Sequence, residues 1–206
     1  MKVLCMKILF IWLLLLGQPG ALFADYIMGV TFFGGDSLYV FNMNKSGKVT
    51  FDYEVDTGGN TERLKFSTDG TWGMIGSHTT YYPPTQKTPI IKINKKRRIT
   101  YIGYAPNKDG RLVAVSSDSK YGLYGESLQT LRYYPDGSFK VIPATNPILA
   151  WQARFSPLNN TIIAQKRFIL EEYVMKEDGR TTKTGFNIDI SPSSGSQDLE
   201  ITPDGK

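Results

Sequence analysis

From Asp25 onward the apolar residues come in short runs, either alternating with polar ones or standing together, and each run is bounded by Gly, Pro, Asn or Asp. Alternation puts Leu64 and Phe66 on one face of Arg63-Leu64-Lys65-Phe66, and the same holds in Trp151-Gln152-Ala153-Arg154-Phe155. Leu112-Val113-Ala114-Val115 and Ile162-Ile163-Ala164 are continuous, as in strands covered on both faces. No segment carries a 3.6-residue apolar stripe over three turns. The pattern therefore predicts short strands joined by turns.

One stretch sets the register. Leu64-Lys65-Phe66-Ser67-Thr68-Asp69-Gly70 has two inward apolar residues, a small residue and an Asp-Gly turn. The same order recurs at 102–110, ending in Asp109-Gly110, at 153–160, ending in Asn159-Asn160, and at 199–205, ending in Asp204-Gly205. A second series interleaves with it: Lys45-Ser46-Gly47, Asn94-Lys95-Lys96, Pro135-Asp136-Gly137 and Glu177-Asp178-Gly179. Asp-Gly reverses an antiparallel pair in a few residues because both residues tolerate positive φ. A period of roughly 40 to 50 residues with about four strands per unit is the pattern of propeller blades. A single blade has two apolar faces and buries them only against neighbours, so the unit must repeat.

Lettered a to d from the axis outwards, the first unit supplies strands b to d at 26–31, 37–42 and 49–53. The second takes 61–67, 70–77, 89–94 and 98–104; the third 111–117, 129–134 and 138–142; the fourth 151–156, 161–166, 171–175 and 181–190. The short interval between Lys95 and Gly110 predicts either an incomplete third blade or one long segment serving two sheets, and 118–127 reads as a long loop. A fifth axial strand begins at 198–202. The expected fold is all-β: a β-propeller of four-stranded antiparallel blades, incomplete at about three to four blades. Ending after half a hairpin favours a fragment of a longer chain, with self-association of a complete chain as the alternative.

Asp56-Thr57-Gly58-Gly59, the Leu64–Gly70 stretch, Phe155-Ser156-Pro157 and Ile201-Thr202-Pro203-Asp204-Gly205-Lys206 together resemble the F-S-P-D-G-K repeat of bacterial β-propellers. That repeat is shared by lactonase-like seven-bladed proteins and by the WD40-like propeller of periplasmic TolB-like proteins. The resemblance implies the propeller architecture. It carries over no catalytic residue, and Asn159-Asn160 departs from the motif.

Composition supports a globular chain: 206 residues, 41% apolar, with 12 Tyr, 11 Phe, 20 Gly and 11 Pro. The first residues are a separate object. Lys2 and Lys7 precede the apolar run 8–16, then Gly17-Gln18-Pro19-Gly20 and Ala24. This reads as a signal peptide over 1–24, with the repeats over 25–206, and predicts export to the periplasm or the cell exterior. The apolar run is too short for a bilayer span, so no stable membrane span is expected after cleavage. Cleavage would remove Cys5, the only cysteine, and would lower the formal net charge of +5 by two. A mildly basic exported chain is a poor candidate for nucleic acid.

Strand parity puts both series of tight turns on one side and the long loops on the other. Loops on a rigid frame are where binding residues concentrate, so the long-loop face is the candidate functional face. It carries His78, the only histidine, with Tyr81, Asp56, Glu62, Tyr124, Glu126 and Trp151, beside Asp118 and Tyr121. An acid, a base and aromatics around a shallow funnel suit a sugar, a peptide or another small polar ligand. The competing reading is a solvated histidine among packing aromatics. One His and scattered carboxylates make no metal-ligand set, and no cofactor is expected. Lys95-Lys96-Arg97-Arg98 reads either as a solvated hairpin tip or as a dock for acidic lipid or polymer. Two functions follow: a binding scaffold for a protein or small polar ligand, or a lactonase-like hydrolase using His78.

Overall fold

The computed structural model describes residues 26–31, 35–76, 87–106, 112–125, 127–143, 150–190 and 199–202. Four antiparallel sheets follow one another along the chain. Sheet I holds β1 (Tyr26–Thr31), β2 (Gly35–Met43) and β3 (Val49–Thr61). Sheet II holds β4 (Arg63–Phe66), β5 (Trp72–Gly76), β6 (Lys87–Ile93) and β7 (Ile99–Pro106). Sheet III holds β8 (Val113–Val115), β9 (Tyr121–Tyr124), β10 (Gln129–Tyr133) and β11 (Phe139–Ile142). Sheet IV holds β12 (Gln152–Phe155), β13 (Thr161–Lys166), β14 (Ile169–Met175) and β15 (Thr181–Asp189). Every strand pairs with its neighbour in sequence, as in the blades predicted from the repeat.

Three apolar cores fill the spaces between consecutive sheets. Leu38, Val40, Leu64, Phe66, Ile75 and Ile91 lie between sheets I and II. Trp72, Met74, Ile90, Tyr124 and Leu131 lie between II and III, and Leu123, Phe155, Ile162 and Tyr173 between III and IV. Alternation within one strand serves two cores: Val113 joins the second and Leu112 and Ala114 the third. That double burial is why these strands read as continuous apolar runs.

Two expectations need correction. Sheet III is complete, and the stretch read as a loop over 118–127 contains β9. Asp109-Gly110 falls between β7 and β8, outside the described residues, while the true β8–β9 turn runs from Ser116 to Lys120. Both errors have one cause. In the β4–β5 turn Gly70 takes φ 68° and donates its N–H to the Ser67 carbonyl; in the β8–β9 turn Ser119 takes φ 61° and does the same to Ser116. A serine at the left-handed position hides the turn from a search for glycine.

The constant element of these turns is the serine hydroxyl. Ser67 donates to Asp69 Oδ1 at 2.7 Å and accepts from the Trp72 amide at 3.1 Å. Ser116 donates to Asp118 Oδ1 at 2.7 Å and accepts from the Tyr121 amide at 2.9 Å. Ser119 also locks two sheets together: its Oγ accepts the Asp69 amide, and its carbonyl accepts Trp72 Nε1 at 2.7 Å. The Trp72 indole is fully buried and stacks on Tyr133 at 4.8 Å.

Candidate functional site

The innermost strands are β4, β8 and β12, with residues 199–202 beside them. Counting back two residues from Ser67, Ser116, Ser156 and Thr202 gives Lys65, Ala114, Arg154 and Glu200. Three of these four polar or small positions meet. Glu200 Oε1 accepts from Arg154 Nη2 at 3.0 Å and Nε at 3.2 Å, and stands 3.7 Å from Lys65 Nζ. Arg154 is buried, and its Nη1 donates to the Ala153 carbonyl at 3.0 Å. The Leu199 amide donates to Gln152 Oε1 at 2.8 Å, which fixes the segment carrying Glu200. Partial burial pushes the Glu200 carboxyl up, but the Arg154 hydrogen bond and the charges of Arg154 and Lys65 outweigh it and hold it below the usual carboxylate value. Two cations and one carboxylate leave the cluster with a net positive charge.

Glu62 and Trp151 occupy one repeat position, immediately before β4 and β12. An axial strand rises about 3.3 Å per residue, so they lie about 10 Å from the Lys65 and Arg154 level, at the long-loop end. Trp151 is exposed, and its backbone amide donates a hydrogen bond to the Gln165 carbonyl at 2.8 Å. Glu62 is half-buried, and its amide donates to the Gly76 carbonyl at 2.9 Å. Asp56 lies on β3, the outermost strand of its sheet, where its carboxylate accepts the Gly58 amide at 2.8 Å. It belongs to the rim rather than to the axis.

Tyr124 is placed in the core between sheets II and III, fully buried, with its hydroxyl donating to Gln129 Oε1 at 2.8 Å. Burial pushes its phenol far above the usual tyrosine value. Asp118 lies in the β8–β9 turn and Tyr121 opens β9 directly after it, on the side of the tight turns rather than on the long-loop face. His78, Tyr81 and Glu126 lie outside the described residues. Sequence reasoning missed Lys65, Arg154 and Glu200; their one shared mark is a fixed offset from the turn, in strands where polar and apolar residues alternate.

Among the described residues no group of three or more His, Cys, Asp or Glu is placed to hold a metal ion. No helix among them is long and apolar enough to cross a membrane. The axial cluster can grip an anionic group electrostatically.

No known protein family and no curated protein matches the chain. Solved structures do. A protein from Lactobacillus plantarum superposes with a TM-score of 0.61 at 16% identity, over 77% of this chain and 51% of that one. A proposed 6-phosphogluconolactonase from Bacteroides fragilis gives 0.60 at 11% identity, over 80% of this chain and 52% of that one. Hydrazine synthase of Kuenenia stuttgartiensis gives 0.61 at 18% identity, over 87% of this chain and 50% of that one. The chain thus spans about half the length of the structures it resembles. At these identities the likeness is one of fold, and the fold is that of propeller blades.

Proposed function

We propose that this chain is the frame of an exported β-propeller that binds a small polar, negatively charged ligand through its long-loop face. The convergence of Arg154 and Lys65 on one carboxylate, below a mouth marked by Glu62 and Trp151, supports this reading. A carboxylate from the ligand would add to or replace that of Glu200 on the same two cations. Gluconate is a suitable probe, with neutral glucose as the control. Calorimetry should show gluconate binding that weakens about tenfold in Lys65→Met, the loss of roughly one charge-assisted contact. Equal affinity in Lys65→Met, or equal binding of glucose, would overturn the reading. Export rests on the 1–24 segment, and the amino-terminal sequence of secreted protein tests it: a start at Asp25 is expected.

A second reading, a lactonase-like hydrolase, is favoured by the likeness to the Bacteroides fragilis protein and others proposed to be 6-phosphogluconolactonases. In it His78 and a nearby carboxylate would assist attack of water on a lactone carbonyl. Hydrolysis of glucono-δ-lactone is the assay, and unchanged turnover in His78→Ala would end that reading.

A further inference from the structure

The basic run predicted as a hairpin tip does form one, and it lines a cleft. The turn between β6 and β7 faces sheet I across a cavity of about 550 Å³, whose walls include Asn42, Asp52, Tyr53, Lys96, Arg97 and Arg98. Three cations face one carboxylate there. The volume falls in the range of small-molecule sites. Arg98 lies over the Tyr53 ring at 4.4 Å, and the Tyr53 hydroxyl accepts the Ile99 amide at 2.6 Å, so both side chains are fixed before any ligand arrives.

The backbone supplies an independent observation. Four hairpin turns of this structure share one geometry, in which the first residue's carbonyl accepts from the fourth residue's amide and its amide donates to the fifth residue's carbonyl. They are Asn44 to Lys48, Asn94 to Arg98, Tyr134 to Ser138 and Lys176 to Arg180. The fourth position is always left-handed: Gly47 at φ 79°, Gly137 at 92°, Gly179 at 83°, but Arg97 at 59°. Glycine takes that conformation without steric penalty, whereas arginine does not. Of these four turns, the one that keeps a non-glycine residue there is the one that borders the cleft. Backbone strain of this kind clusters at functional sites.

We infer that the cleft between sheet I and the Asn94–Arg98 turn binds a phosphate or sulfate monoester of a small polar molecule, with Lys96, Arg97 and Arg98 on the oxyanion. Guanidinium groups match such oxyanions through paired N–H donors, and Asn42 offers a polar contact for the uncharged body. The site lies on the side of the tight turns, away from the axial cluster.

The strain makes the test sharp, because Arg97→Gly removes a cation and relieves the backbone at once. With the full chain, calorimetric titration of glucose 6-phosphate and glucose 6-sulfate should give saturable binding at one site, and neutral glucose should give none. Arg97→Gly should weaken binding about tenfold or more while raising the ligand-free Tm by about 2–4 °C. Lys96→Ala should weaken binding with Tm unchanged. Unchanged affinity in both variants, no saturation at millimolar ester, or a fall in Tm for Arg97→Gly would overturn the proposal. Co-sedimentation with phosphatidylglycerol vesicles in the absence of ester binding would also overturn it, assigning the cations to a lipid surface instead.

Discussion

Ser119 and Arg97 are both non-glycine residues at the left-handed position of a hairpin turn, yet the structure surrounds them differently. Ser119 is built into the frame: its hydroxyl accepts the Asp69 amide and its carbonyl accepts the Trp72 indole, so one residue ties sheet III to sheet II. Arg97 borders a cleft. Three equivalent turns manage with glycine. The contrast separates two reasons for retaining backbone strain. One is offset by contacts within the fold, and removing the side chain loosens the protein. The other borders a cleft, and if its guanidinium serves a ligand there, replacing it with glycine should relieve the backbone and tighten the protein.

The largest effect that would break this comparison is at Trp72. Trp72→Ala should destabilise by about 3–5 kcal/mol in urea unfolding, because it empties a fully buried position and frees the Ser119 carbonyl. A loss below about 1 kcal/mol would mean that sheets II and III are not joined through Ser119. Ser119→Ala should cost about 1–2 kcal/mol, and Ser119→Gly should cost less, since glycine regains the backbone term while losing the same hydrogen bond. Arg97→Gly should move the other way, stabilising by about 1 kcal/mol. If it destabilises instead, the two turns are alike and the distinction fails.

Acid supplies the finest test. Partial burial pushes the Asp118 carboxyl up, but the Ser116 hydroxyl, the Lys120 amide and the Lys120 charge outweigh it and hold it below the usual value. A depressed carboxylate contributes stability that is full above its unfolded pKa and lost as pH falls through the folded one, below about pH 4. The Arg97 turn is closed by the Asn94 side-chain Oδ1, which accepts from the Lys96 and Arg98 amides and belongs to a group that does not titrate. Asp118→Asn should therefore flatten the acid limb of stability, and Asn94→Asp should steepen it. No change in slope for Asp118→Asn would remove this carboxylate from the linkage.

The architecture was legible because alternation and turn chemistry both repeat, and each sheet needs both. Where one signal failed, the reading failed with it. Ser119 stood where glycine was sought, so the turn went unseen and Tyr121-Gly122-Leu123-Tyr124 fell inside a stretch read as a loop. Gly122 marks a close approach: a Cβ there would lie 2.5 Å from Met74 Cε, so any side chain would have to displace the Met74 thioether packed against β9. Tyr124 was legible as an aromatic but not as a core residue, since burial depends on a neighbouring sheet that local sequence does not reveal. The axial cluster was illegible for a related reason. Lys65 and Arg154 alternate with apolar residues as solvent-facing side chains do, and only the ring of strands turns that face toward Glu200.

Glu200 bears on how long the folded arrangement lasts. Pairing within each sheet joins consecutive strands, and such local contacts form readily during folding. Glu200 instead brings together Lys65 and Arg154 from different sheets, with Lys65 far away in the chain. Closing so long a loop is an entropic step that precedes its reward, which places this tie late, on the native side of the folding barrier. An interaction absent from the transition state acts on escape rather than on entry. Glu200→Gln should thus leave the refolding limb of a chevron in place and raise the unfolding limb, whereas slowed refolding would put the tie inside the nucleus. Raised unfolding with unchanged refolding would make the carboxylate on the axis a latch on the native state.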